Sequence, residues 1–136
     1  MTGSPTVKNT VIVIDASIAL RWLLTDSLSA ACWQLFEQIV ASQKQMTAPM
    51  LWQYEITSGL AKAVRFKSIR PEDANQLLDR SAALGIVLVP ADAEQNQRAL
   101  AWSLRLQRAS AYDSYYLALA ESLKCDLWTA DRRLFN

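Results

Sequence analysis

Four carboxylates in this chain, Asp15, Glu55, Asp113 and Asp131, occupy places from which secondary structure can aim them at one point. Asp15 ends the apolar run Val11-Ile12-Val13-Ile14, and Asp131 follows Leu127-Trp128-Thr129-Ala130. Glu55 lies early in one helical pattern and Asp113 opens another. Acids that follow buried strands of an α/β chain gather at the strand C-termini, where such folds place their sites. With no histidine in the chain, the set points to a hard, oxygen-ligated cation, above all Mg²⁺ or Mn²⁺. Without a cation, such clustering raises at least one carboxyl pKa and destabilises the fold. A divalent ion removes that conflict. It also leaves positions for phosphate oxygens and an attacking water, so phosphodiester hydrolysis is the chemistry that fits.

Each acid also has a structural reading. Asp15 and Asp131 stand where aspartate caps helices. Asp113 stands three residues after Ser110, a capping-box spacing, and Glu55 could face solvent. The set carries more weight than its members, because the first and last well-marked strands both finish at an aspartate. Ser17 and Thr129 stand two positions from Asp15 and Asp131. Hydroxyls there can bond the carboxylates and orient them, with capping as the plainer role of Ser17. Lys62, Arg65, Lys67 and Arg70 follow Glu55, while Arg132 and Arg133 follow Asp131. Lys62, Arg65 and Arg132 are the candidate phosphate contacts; solvated helix faces are the alternative.

The elements that must position these groups alternate between strand and helix. The β-branched run Val11 to Ile14 reads as a strand buried on both faces. Helices are expected over 17–24, 27–41 and 51–66. In the last of these, Ile56, Leu60 and Val64 mark the core face. A strand over 46–48 is stopped at Pro49. Pro71-Glu72-Asp73 opens a further helix, which Gly85 ends. Ile86 to Val89 is a strand. Asp92 caps a helix running to about Gln107, with Gln95 at the capping-box position, and Ser110 caps another over 111–123. Leu127 to Thr129 is the last strand. This pattern predicts an α/β fold, a three-layer α/β/α sandwich around a mostly parallel sheet.

A chain of 136 residues, half of them hydrophobic, is one domain with an ample core, 1–136, in which 1–9 reads as a flexible extension. No apolar run suits a membrane span or a signal peptide, so a cytoplasmic protein without membrane contact is expected. Cys32 and Cys125 read as reduced, buried thiols. The net charge of +1 does not announce a nucleic-acid binder. Trp22, Trp33, Trp102 and Trp128 fall in apolar patterns and read as core or interface. Tyr112, Tyr115, Tyr116 and Leu119 follow helical spacing and are expected to pack. Trp52 and Tyr54 are placed to cover the entrance of the site.

In order along the chain, Val13-Ile14-Asp15-Ala16-Ser17 resembles the opening motif of PIN-domain nucleases. Tyr54-Glu55-Ile56-Thr57-Ser58-Gly59-Leu60 resembles their helical glutamate motif. The segment from Ala111-Tyr112-Asp113-Ser114 to Ala120 is similar to the third motif, and Thr129-Ala130-Asp131-Arg132-Arg133-Leu134-Phe135 to the last acidic one. The small size looks most like the VapC-type toxins of type II toxin–antitoxin pairs. The resemblance implies an endoribonuclease dependent on Mg²⁺ or Mn²⁺ that cuts transfer or ribosomal RNA. It also implies a homodimer and a small cognate antitoxin, with Asp15, Glu55, Asp113 and Asp131 as the acidic site. Ser58 stands where many members have asparagine. The chain stops at Asn136 where many continue with another short strand, so that edge strand is expected to be missing.

Three other readings compete. A phosphoacceptor receiver domain shares the architecture, but Asp15 has no acidic neighbour, Val89-Pro90 follows the middle strand and no lysine follows Thr129. A non-catalytic PIN-like module would lose acids, whereas all four are present. A PIN-domain RNA-processing nuclease outside toxin–antitoxin systems fits the same residues.

Overall fold

A computed structural model describes residues 10–24, 29–108 and 111–129, with side chains described from Trp33 onward in the second stretch. Strand β1 (Val11–Ile14) leads into α1 (Ala16–Leu23) and α2 (Ser29–Ala41). Then come β2 (Gln45–Pro49), α3 (Leu51–Arg65), α4 (Pro71–Ala82) and β3 (Val87–Val89). The described part closes with α5 (Ala93–Leu106), α6 (Tyr112–Leu123) and β4 (Leu127–Trp128). The four strands form one parallel sheet in the order β3-β2-β1-β4, with Val13 opposite both Thr47 and Leu127. The expected α/β/α sandwich is therefore present. Residues 1–9, Ser27, Ser110, Asp131, Arg132 and Arg133 lie outside the described residues, and with them the expectations placed there.

β1 is central, and Ile12, Val13 and Ile14 are all essentially fully buried. That explains why its sequence is a continuous apolar run rather than an alternating one. Helices α1 to α4 pack on one another, while α5 packs on α6 and α6 lies on β1, β2 and β4. The α5–α6 seam is made of small residues. Ala99, Ser103 and Ser114 are buried in it, and Ser103 Oγ donates to Ser114 Oγ at 2.8 Å. This close approach fixes the first turn of α6, where Asp113 stands.

Several boundaries differ from expectation for local reasons. β2 includes Pro49, which pairs with Val89 at the end of the ladder, where a missing N–H is tolerated. α4 ends at Ala82, and Gly85, at φ 79°, makes the turn towards β3. The N-cap position of α6 is Ala111, which contributes no side-chain bond. Asp92 does cap α5, accepting the Gln95 N–H at 2.8 Å. On α3 the core face is Trp52, Ile56, Leu60 and Ala63, with Val64 only half-buried. At 3.6 residues per turn a strict four-residue repeat rotates off the face by its third member, and Ala63 takes its place.

The aromatic residues divide. Trp22 is buried with its ring edge-on to Phe36 at 5.0 Å, and Trp33 meets Phe36 at 5.3 Å. Tyr116 and Leu119 are buried as expected, but Tyr112 is 68% exposed and Trp128 partly so. Cys125 is a free thiol, half-buried rather than buried, with burial pushing its pKa up. Among the described residues no helix is long and apolar enough to cross a membrane.

Candidate active site

Asp15 stands at the junction of β1 and α1, where it is the N-cap of the helix. Its backbone N–H donates to Trp128 O at 3.0 Å, which fastens the end of β1 to β4 immediately before Thr129. The side chain is almost fully buried and well supplied with donors. Ser17 N–H reaches Oδ1 at 3.4 Å and Ser17 Oγ donates to Oδ2 at 3.0 Å. Thr129 Oγ1 donates to the same Oδ2, and the two hydroxyls are 3.2 Å apart. Burial raises the Asp15 pKa above the ordinary carboxylate value. The hydroxyls of Thr129 and Ser17 and the Ser17 N–H oppose the rise, and the charge of Asp113 adds to it. Ser17 and Thr129, singled out by spacing, thus converge on one carboxylate from opposite ends of the chain.

Glu55 lies on the second turn of α3, half-buried, and Asp113 on the first turn of α6. Asp15, Ser17, Glu55, Ser58, Lys62 and Asp113 line one open cleft of about 320 Å³ at the C-terminal edge of the sheet. Three of the four acids therefore share a site, and Asp131 is outside the described residues. Lys62 stands two turns beyond Glu55 on the same face of α3 and belongs to the lining. Arg65 is exposed outside that lining, and Arg132 is not among the described residues. Trp52 is buried in the core and does not cover the entrance, while Tyr54 is exposed.

One positioning residue escapes the sequence pattern. Tyr116, fully buried in α6, donates its hydroxyl to Glu55 Oε1 at 2.6 Å and accepts the Ala16 N–H at 3.4 Å. It couples α3, α6 and the start of α1. Burial, followed by the charges of Glu55 and Asp15, raises its phenol pKa far above the ordinary range, so it remains a donor. Its only sequence signal is a place one turn after Asp113, which reads equally well as packing.

The donor set suits a hard divalent cation, being carboxylate and hydroxyl oxygen throughout. Among the described residues no three acidic, cysteine or histidine side chains gather tightly enough to cage an ion by themselves. An open set of that kind fits an ion that keeps most of its water and takes one or two carboxylates.

Comparison with known proteins decides the family. A family model for the PIN domain matches residues 12–136. The chain belongs to the PIN-domain family. Ribonuclease VapC9 of Mycobacterium tuberculosis and a VapC ribonuclease of Mycobacterium bovis are each 34% identical to it over 124 residues. The match covers 91% of this chain and 88% of each relative. The PIN fold recurs in the crystal structure of M. tuberculosis VapC20, a sarcin–ricin loop cleaving toxin. That match has a TM-score of 0.63 and 14% identity, covering 89% of this chain and 90% of the toxin. It recurs also in VapBC2 of Rickettsia felis bound to a promoter DNA fragment. Here the TM-score is 0.69 and the identity 12%, with 92% and 91% covered. In this PIN domain the first three motifs fall at the end of β1, on α3 and on α6, around one cleft. Family membership sets aside the phosphoacceptor reading.

Proposed function

We propose that this PIN domain is a metal-dependent endoribonuclease and the toxin of a type II toxin–antitoxin pair. The observation that supports it best is the delivery of Asp15, Glu55 and Asp113 from three separate elements to one cleft. Asp15 and Asp113 would hold Mg²⁺ or Mn²⁺ directly, and Glu55 or Asp131 would orient the attacking water. A bound divalent ion supplies an acidified water and a polarised phosphate. Ser17 and Thr129 keep Asp15 in place through the bonds to its Oδ2. Lys62, on the cleft wall, receives a substrate phosphate, whereas Arg65 stands outside that lining.

The ribonuclease relatives favour RNA as substrate, and the sarcin–ricin loop cut by VapC20 favours an RNA loop as the target. The R. felis pair favours a small antitoxin as partner. We propose with it a homodimer and a cytoplasmic location.

The test is cleavage of pooled transfer and ribosomal RNA by the purified chain with Mg²⁺, Mn²⁺ or chelator, beside Asp15→Asn. Cutting in either metal, abolished by chelator and by the substitution, is expected. Full activity of Asp15→Asn overturns the site. A folded chain that neither binds metal nor cuts is a non-catalytic PIN-like module.

A further inference from the structure

A second cleft, of about 230 Å³, opens beside the acidic one at the same edge of the sheet. Its floor includes Pro49 and Val89, the last residues of β2 and β3, with Pro90. Its walls carry three tyrosines, Tyr54 from α3 and Tyr112 and Tyr115 from α6. Tyr115 is held by its hydroxyl, which donates to Asn96 Oδ1 at 2.7 Å. Tyr54 and Tyr112 are about two-thirds exposed, at 67% and 68%. Rings this exposed beside an apolar cleft present faces on which a planar ligand can stack.

Position selects that partner. Tyr54 immediately precedes Glu55 and Tyr112 immediately precedes Asp113. Helices α3 and α6 line both clefts, and the clefts sit at adjoining strand ends, those of β2 and β3 for one and that of β1 for the other, so a group held between the rings lies in the neighbourhood of the acids. A phosphodiester presented to those acids carries a base on either side, and single-stranded RNA is read by unstacking bases onto aromatic side chains. The volume is smaller than that of sites for drug-sized ligands, roughly 300–1,000 Å³, and suits one heterocycle. An apolar, aromatic lining suits the face of a base and not a phosphate.

We propose that the cleft walled by Tyr54, Tyr112 and Tyr115 is a nucleobase subsite, holding one unstacked base next to the phosphodiester presented to Asp15, Glu55 and Asp113. The proposal rests on the endoribonuclease reading for its substrate class. It gives the enzyme a means of choosing where along a loop to cut. The sequence reading assigned Tyr112 to packing; its exposure reverses that.

The test uses the full chain with Ca²⁺ in place of Mg²⁺, and short single-stranded oligoribonucleotides of mixed sequence carrying one 2-aminopurine. Base stacking on a tyrosine quenches the fluorophore. Tyr54→Ala and Tyr112→Ala are each expected to remove the quenching and weaken RNA binding about 10-fold. Tyr54→Phe and Tyr112→Phe keep the ring and are expected to retain both. Mn²⁺ affinity, read by titration in all four variants, is expected to stay within about twofold of the parent. Alanine variants that bind and quench like the parent overturn the subsite. So does equal loss in the phenylalanine variants, which would assign the effect to the hydroxyls. Conversion of a dimer to a monomer by the alanine variants, with RNA affinity per chain unchanged, would make the cleft an interface between copies and likewise overturn it. Tyrosine-dependent quenching in a protein that never cuts RNA with Mg²⁺ or Mn²⁺ would uphold the subsite while refuting the nuclease reading.

Discussion

At the residue scale, the site depends on side chains that hold the acids as much as on the acids. Tyr116 is the sharpest case, because one buried hydroxyl serves both Glu55 and the first amide of α1. Tyr116→Phe keeps the ring and its packing and removes only that hydroxyl. Cleavage should fall by about 10–100-fold, the usual cost of removing a group that orients a metal-site carboxylate. Stability should fall by about 1–3 kcal/mol, because two hydrogen bonds are lost and the buried Ala16 N–H loses a partner. Single-turnover cleavage and urea unfolding of the same preparations measure the two; unchanged cleavage would leave Tyr116 a packing residue only. Spacing made Asp15, Ser17 and Thr129 legible, because strand ends share an edge in a parallel sheet. Tyr116 was not legible. Its partner lies on a helix distant in sequence, and no local pattern distinguishes a tyrosine chosen for its hydroxyl from one chosen for its ring.

At the element scale, the strands were readable because burial on both faces leaves an unbroken apolar run, as in β1. The details of helix contact were not. A glycine inside a helix ordinarily weakens it, yet a Cβ at Gly59 would stand 2.5 Å from Leu20 Cδ1 and 2.9 Å from Cδ2. The glycine lets α1 and α3 approach beneath the acidic cleft, which both Leu20 and Gly59 line. Gly59→Ala should cost about 1–3 kcal/mol of overpacking, against about 1 kcal/mol gained in helix propensity. Leu20→Ala empties the space. In that background Gly59→Ala should become stabilising by about 1 kcal/mol, the propensity gain alone. A denaturant double-mutant cycle reads the coupling. Additive effects would mean that Leu20 moves aside freely and that Gly59 does not set the helix approach.

At the scale of the whole molecule, the near-neutral charge conceals an acidic centre whose cost falls on the fold. Asp15 has a pKa raised above its ordinary value of 3.8, chiefly by burial. The folded chain therefore binds the proton more tightly than the unfolded one, so stability falls as pH rises from about 3.8 through the folded pKa. Above that window the charged carboxylate penalises the metal-free protein, and Asp15→Asn should melt a few degrees higher than the parent at pH 7 in chelator. That gain should shrink as the pH is lowered through the same window. A divalent ion reverses the sign, because it binds the folded chain and prefers the ionised carboxylate. At about 100 times its dissociation constant, an ion adds about 2.7 kcal/mol, which corresponds to roughly 10 °C in Tm for a domain of this size. Protons compete for Asp15, so the Mn²⁺-induced rise should be largest at neutral pH and fade on acidification. Thermal melts of parent and Asp15→Asn between pH 4 and 8, with chelator and with Mn²⁺, separate these effects. A rise of the same size in Asp15→Asn would place the ion elsewhere. A parent that melts at one temperature across the whole range would remove both the penalty at Asp15 and the ion that relieves it.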